Sequence, residues 1–182
     1  MSKGSDKDHQ TSPSFRLDGL NAYVTGGGRG IGRACALGLA GAGANVAIID
    51  IEAGLAEEVA GEIARTGRKA LALSCDVTDS RAVKTSMEAI IGELGSIDIA
   101  FNNAGICIHS PAENMSDEDW LKVIEVNLNS VFYCARAAGK LMISQGRPGS
   151  IINTASMSAR IVNHPQPQAA YNASKAGAIL LT

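Results

Sequence analysis

The run Val24-Thr25-Gly26-Gly27-Gly28-Arg29-Gly30-Ile31-Gly32 most constrains what this chain can become. An apolar run, Asn21–Thr25, precedes it, and a segment of helical periodicity near 31–42 follows. Glycine reaches positive φ and lets other groups approach its backbone closely, so this stretch turns a strand sharply into a helix. The start of that helix offers unpaired N–H groups and the positive end of the macrodipole, which suit a pyrophosphate. A second apolar run, Asn45–Asp50, closes on Asp50, 18 residues beyond Gly32. In such a strand–turn–helix–strand unit, a carboxylate there accepts from the adenine-side ribose hydroxyls of a dinucleotide. It would repel a 2′-phosphate and so favours NAD over NADP; Arg29, a guanidinium in the turn, pulls weakly the other way. Gly26, Gly30 and Gly32 are the expected seat of the dinucleotide, with Gly28 and Ile31 in the same turn and Ile51 beside Asp50.

The alternation continues down the chain. Apolar runs at Ala70–Ser74, 97–102 and Ser150–Asn153 are interleaved with helical segments near 53–66, 79–94, 117–145 and from 169 onward. Each apolar run is continuous, as expected for strands buried on both faces by helices. Strand–helix alternation implies a parallel sheet with right-handed crossovers. The expected fold is therefore an α/β doubly wound parallel sheet, Rossmann-like, forming one domain over 16–182 without internal repeats. Residues 1–15 are polar and charged with no apolar core, which reads as a disordered tail and not a signal peptide.

Composition removes several function classes. A length of 182 residues suits one domain, and 46% hydrophobic residues with 20 glycines suit a cored fold rich in tight turns. Net charge is −2 with no dense run of Lys or Arg, so nucleic acid and anionic membranes are not expected partners. The apolar runs are strand-sized, far short of the ~20 residues a membrane span needs. Cys35, Cys75, Cys107 and Cys134 are scattered without paired spacing and read as buried free thiols of a reducing compartment, pointing to the cytoplasm. His109 and His164 are expected in loops without a metal role, since no ligand cluster accompanies them.

The second constellation lies near the end of the chain. Tyr171 and Lys175 stand at i and i+4 of the last helical segment and share one face. An ammonium beside a phenol favours phenolate and lowers the tyrosine pKa toward working pH, the requirement for a general acid/base. Ser156 falls just past the fifth apolar run, at the sheet edge where open α/β folds bind ligands, and its hydroxyl could bond a substrate oxygen. Asn127 falls mid-helix on the stripe Trp120, Ile124, Val131, where a buried amide needs a partner.

With these residues in hand, the chain resembles the classical short-chain dehydrogenase/reductase family over about 20 to 182. The family pattern TGxxxGxG falls on Thr25 to Gly32, its NNAG motif on Asn102-Asn103-Ala104-Gly105, and its Asp-Val pair on Asp76-Val77. The Asn–Ser–Tyr–Lys tetrad falls on Asn127, Ser156, Tyr171 and Lys175. The resemblance implies that Tyr171 is the general acid/base and that Ser156 holds the carbonyl or alcohol oxygen. Lys175 would bind the nicotinamide ribose and tune Tyr171, and Asn127 would hold a water in a proton relay. Asp76 and Val77 would contact adenine, while Asn103, Ala104 and Gly105 line the nicotinamide side. The implied reaction is hydride transfer between NAD and a secondary alcohol or ketone.

The loop before Tyr171 narrows the comparison. Its stretch Asn163-His164-Pro165-Gln166-Pro167-Gln168 looks like the Asn-x-Pro-Gln-x-Gln segment of sugar- and polyol-acting members, the mannitol, arabinitol and sorbose enzymes. Amide and imidazole groups at a pocket mouth suit a polyhydroxylated substrate, whose hydroxyls need directed partners. The alternatives are an oxoacyl or other ketone reductase with NADPH preference, or a truncated, non-catalytic dinucleotide-binding protein. The resemblance also implies a longer chain, with two further strands, a helix and a substrate-covering segment beyond Thr182. A fifth strand left at the edge is then expected to be exposed, and a homo-oligomer is expected of the full-length chain.

Overall fold

The computed structural model describes residues 15–162 and 164–182; the expected polar tail before Phe15, and Asn163 of the loop segment, lie outside the described residues. Five parallel strands form one sheet: β1 (Asn21–Thr25), β2 (Asn45–Asp50), β3 (Ala70–Ser74), β4 (Ile99–Asn102) and β5 (Ser150–Asn153). Their order is β3-β2-β1-β4-β5, so the connection reverses direction between β1 and β4. The helices are α1 (Gly30–Ala42), α2 (Ala53–Ala64), α3 (Ser80–Leu94), α4 (Asp117–Ile124), α5 (Ser130–Gln145) and α6 (Ala169–Leu181). This is the doubly wound parallel sheet that the strand–helix alternation implies.

Two apolar layers cover the central strands. Tyr23, Ala47, Ile49 and Ala100 face Val83, Met87 and Ile90 of α3 and Cys134, Ala138 and Met142 of α5. Ala22, Val24, Val46, Ile48 and Ile99 face Ala36 and Ala40 of α1 and Ala56, Val59 and Ile63 of α2. The alternation 22/24 against 23, and 46/48 against 47/49, is the two-residue period of strands covered on both faces. Each Ile or Val so buried contributes about 1.5–3 kcal/mol. Tyr23 is wholly buried yet satisfied, since its hydroxyl donates to Asn102 Oδ1 at 2.8 Å.

Four expectations are corrected. The strands are not all buried on both faces: β3 is an edge strand without a fully buried residue, while β5, the other edge, is exposed at alternate residues as expected of a fifth strand left at the edge, with Ile152 46% accessible. The fourth strand begins at Ile99 rather than Ile97, because the side chain of Gln145 occupies the strand position beside Ile97. Its Oε1 accepts the Ile97 N–H at 2.9 Å and its Nε2 donates to the Ile97 carbonyl at 3.0 Å. The segment 117–145 is not one α-helix, since Glu125–Asn129 form a π turn between α4 and α5. The buried stripe accordingly runs through Val123, Asn127, Val131, Cys134 and Ala138, leaving Trp120 40% exposed. Finally, only Cys75 and Cys134 are buried; Cys35 is half-buried and Cys107 is exposed. No helix among the described residues is long and apolar enough to cross a membrane.

Candidate active site

All five strands point the same way, so the turns leaving them meet along one edge of the sheet. The reversal between β1 and β4 opens a crevice there, the position at which open α/β sheets bind ligands. The glycine turn forms one side of it. Gly26 has φ of +60°, and a Cβ there would lie 3.0 Å from the Ala104 Cα. A Cβ on Gly32 would run into the Gly26 carbonyl oxygen, and one on Gly28 would stand 2.6 Å from the Leu55 Cβ. Gly28 and Gly32 therefore let the turn, α1 and α2 pack closely. Thr25 fastens the turn to the residues after β4: its Oγ1 accepts the N–H groups of Asn103 (2.9 Å) and Ala104 (3.1 Å). Asn103 Nδ2 returns bonds to the carbonyls of Thr25 and Gly26 at 3.1 and 3.3 Å.

The charge arrangement suits an anionic, ribose-bearing ligand. Helix α1 starts with no side-chain cap and no acid in its first turn, leaving its first N–H donors to an outside anion. Asp50, at the end of β2, is buried, and its two oxygens accept the N–H groups of Gly28 (2.9 Å) and Glu52 (3.1 Å). These bonds fix the carboxylate at the rim while lone pairs remain for ribose hydroxyls. Arg29 lies 3.1 Å from Glu52 in an exposed ion pair. The guanidinium that the sequence sets against Asp50 is thus engaged by a second carboxylate.

On the far side of the crevice, Lys175 is only 2% exposed. Its Nζ donates to the Thr154 carbonyl at 2.6 Å and lies 5.8 Å from the Tyr171 ring centroid. Burial pushes its pKa below the ordinary lysine value. Ser156 begins a short turn, and its Oγ accepts the Ser158 N–H at 3.1 Å. One lone pair being so filled, the Ser156 proton is left to donate elsewhere. Asn127 sits in the π turn, wholly buried and behind the crevice wall. Its Nδ2 donates to the Ile106 carbonyl (2.8 Å) and Ser174 Oγ (3.1 Å), and its Oδ1 accepts the Ile106 N–H (2.8 Å). Extra-residue turns of this kind recur at functional sites; here the turn aims an amide at the loop after β4. Between them stands Gly105, whose Cβ would fall 3.3 Å from Asn127 Oδ1 and 3.5 Å from Lys175 Nζ.

The crevice has a volume of about 980 Å³, near the top of the range for small-molecule sites. Gly26, Arg29, Ile31, Asp50, Ile51, Asp76, Val77, Asn103, Ala104, Gly105, Ser156, Tyr171 and Lys175 all line it. Gly28, Gly30, Gly32 and Asn127 do not: the first three shape the turn and the last holds the loop behind it. The Asp76 carboxylate is occupied by Thr78, whose N–H and hydroxyl donate to it at 2.9 and 2.7 Å. Sequence reasoning did not reach Thr154, Cys107 or Ile106, which act through backbone groups or an unpatterned side chain. His109, Gln166 and Gln168 join the lining, Gln168 being buried with its carboxamide bonded to Ser158 and Cys107. No group of three or more metal-ligating side chains occurs among the described residues.

The family model for short chain dehydrogenases matches residues 20–182, and the chain belongs to that family. Over 173 residues it is 46% identical to galactitol 2-dehydrogenase of Rhizobium johnstonii, covering 92% of this chain but 65% of that enzyme. The chain therefore spans slightly under two thirds of that relative's length. Among solved structures, NAD+-bound xylitol dehydrogenase superposes with a TM-score of 0.86 at 35% identity.

 That alignment takes in 91% of this chain and 63% of the xylitol enzyme. NADPH-dependent 3-quinuclidinone reductase from Rhodotorula rubra gives a TM-score of 0.87 at 38% identity, covering 98% of this chain and 70% of that one. Both nicotinamide cofactors thus occur among the structural relatives.

Proposed function

We propose that this chain carries the nucleotide-binding and catalytic part of an NAD-dependent dehydrogenase of secondary alcohols, with a polyol or its ketose as substrate. The observation that carries this reading is the single crevice bounded by the glycine turn and Asp50 on one side and by Ser156, Tyr171 and Lys175 on the other. The residues fit the cofactor: an uncapped helix start for the pyrophosphate, an oriented Asp50 for the adenine-side ribose, and Lys175 for the second ribose. NAD is favoured over NADP because Asp50 repels a 2′-phosphate and Arg29 is held by Glu52. The nicotinamide, when bound, would supply the hydride acceptor for the alcohol carbon.

The chain's own groups manage the oxygen and its proton. Ser156, its lone pair filled by the Ser158 N–H, donates to the substrate oxygen and fixes it beside Tyr171. The Tyr171 phenolate removes the alcohol proton, and the neighbouring Lys175 ammonium stabilises that phenolate. Thr154 aims the ammonium through its carbonyl. Asn127 keeps the loop carrying Gly105 and Ile106 in place, and the gap at Gly105 lets a water join Asn127 Oδ1 to Lys175 Nζ. A polyol is favoured by the polar lining at His109 and Gln166 and by the likeness to galactitol 2-dehydrogenase. We place the protein in the cytoplasm, with homo-oligomers formed by a full-length chain.

The test is to give the purified protein NAD and a panel of polyols and follow NADH. Turnover on one or more polyols is expected; activity confined to steroids or acyl thioesters would overturn the substrate assignment. Tight NAD binding with no turnover on any alcohol would favour a non-catalytic dinucleotide-binding protein instead.

A further inference from the structure

We propose that Gln168 is a positioning residue that sets Ser156 against Tyr171 by latching three segments together across the crevice. The inference rests on the roles proposed above for Ser156 and Tyr171. Gln168 lies immediately before α6, three residues ahead of Tyr171, and is 7% exposed although the loop residues just before it, 164–167, are open to solvent. Its backbone carbonyl accepts the Asn172 N–H at 3.0 Å, the first bond of the helix that carries Tyr171. Its carboxamide reaches two other segments. Nε2 donates to Ser158 Oγ at 3.1 Å, and Oε1 lies 3.5 Å from Cys107 Sγ, whose thiol can donate to it.

Each contact leads to a functional group. Ser158 is the residue whose N–H fills a lone pair of Ser156 Oγ. Gln168 therefore reaches the Ser156 hydroxyl through one intervening residue. Cys107 follows Ile106, the residue that Asn127 grips from the opposite side of the loop. A backbone bond from the Ser110 N–H to the Pro167 carbonyl at 2.9 Å closes the same junction. A buried amide with both ends engaged cannot lose one partner without leaving a polar group unsatisfied, so the latch is either whole or opens. The sequence reading set Gln168 at the pocket mouth as a partner for substrate hydroxyls. It does line the crevice, but both ends of its carboxamide are bonded to the protein, and its effect on the reaction is through geometry.

The experiment uses Gln168→Met, which keeps length and loses both hydrogen bonds, with Ser158→Ala and Ser158→Thr, all in the 182-residue chain. Backbone hydrogen exchange is the first readout. Gln168→Met and Ser158→Ala should each speed exchange at the Ser158 and Ser110 N–H groups by about tenfold, with no change in β1 or β2, as for a local opening. The second readout is kinetic, with NAD and the best polyol of the panel. A displacement near 1 Å between Ser156 and Tyr171 should lower kcat about 30- to 100-fold, with KM for NAD within about twofold of the parent because the NAD contacts lie elsewhere. Ser158→Thr, which keeps the hydroxyl, should recover most of the kcat lost in Ser158→Ala. Unchanged exchange at both amides, an unchanged kcat, or a parallel loss of NAD binding in Gln168→Met would overturn the proposal. A parent chain without turnover would count against the proposed function alone, and hydrogen exchange would still decide the latch.

Discussion

Strands β1 and β2 bury nearly every residue they have, while β5 exposes alternate residues and α6 buries Ala170, Ser174, Lys175 and Ala178 but leaves Leu180 89% exposed. The nucleotide side of the molecule is thus held by isoleucines and valines packed on two faces. On the catalytic side, directed bonds are prominent: Asn127 to Ile106, Lys175 to Thr154, Gln168 to Ser158. Apolar burial scales with area and degrades gradually. A buried hydrogen-bonded pair fails all at once when one partner is removed. The nucleotide side should therefore lose stability without losing its chemistry, and the catalytic side the reverse.

The largest expected effect tests the catalytic side directly. Tyr171→Phe removes one oxygen from a half-buried ring and should lower kcat by about 10²–10⁴-fold, the range for a lost general acid/base. NAD affinity, measured by calorimetry, should stay within about twofold; a kcat close to the parent's would remove Tyr171 from proton transfer. Next comes a matched pair. Ile48→Ala, in the core of the nucleotide side, should cost about 2–5 kcal/mol in urea unfolding, with kcat per folded molecule retained. Asn127→Leu strands the Ile106 N–H and carbonyl and should cost about 1–3 kcal/mol, yet depress kcat more than Ile48→Ala does. Were the two variants to rank alike in stability and in rate, the contrast between the halves would fail.

Glu52→Gln gives a smaller effect. Freeing Arg29 should raise the ratio of NADP to NAD affinity by about two- to fivefold, the size of an exposed charge interaction. The gain should vanish in the double variant with Arg29→Ala; a ratio insensitive to Glu52 would mean that Asp50 alone selects the cofactor. The smallest effect is in the pH dependence of stability. Burial pushes the Cys134 thiol from its ordinary 9.0 up to about 12. The unfolded chain then loses that proton first, so the stability it represents is complete below pH 9.0 and is lost as pH rises toward about 12. Tyr23, raised well above 10.0 by burial, acts in the same direction. Lys175 opposes both: burial lowers its pKa, so its penalty on the folded state is relieved as pH rises through 10.5. Cys134→Ala should flatten the alkaline fall of the urea midpoint, and an unchanged slope would show that the thiol does not ionise there.

The same contrast explains what was legible in the sequence. Asn21–Thr25 and Asn45–Asp50 could be bounded to the residue, because continuous apolar runs and glycine turns are local signals. So could the convergence of Gly26, Asp50, Ser156, Tyr171 and Lys175 on one edge, since parallel topology brings successive strand ends together. What stayed hidden was long-range and polar. The Gln145 amide stands in for a strand neighbour at Ile97, 48 residues away, and Gln168 reaches Cys107 across 61. A glutamine's character does not disclose whether it meets water or a distant backbone. The break at Glu125–Asn129 was equally silent, as those five residues read as ordinary helix.

That π turn has a consequence for how such a chain can change. An α-helix advances about 100° per residue, so one additional residue within a turn swings everything after it around the axis by that amount. Here the swing lets α4 and α5 share a buried stripe while Asn127 points at the loop after β4. Deleting a single residue from Glu125–Asn129 would restore a regular helix and send Asn127 toward a different neighbour, with every catalytic side chain still encoded. The part of this protein most vulnerable to an in-frame loss of three nucleotides is therefore a five-residue segment whose contribution to the site through Asn127 depends on its phase.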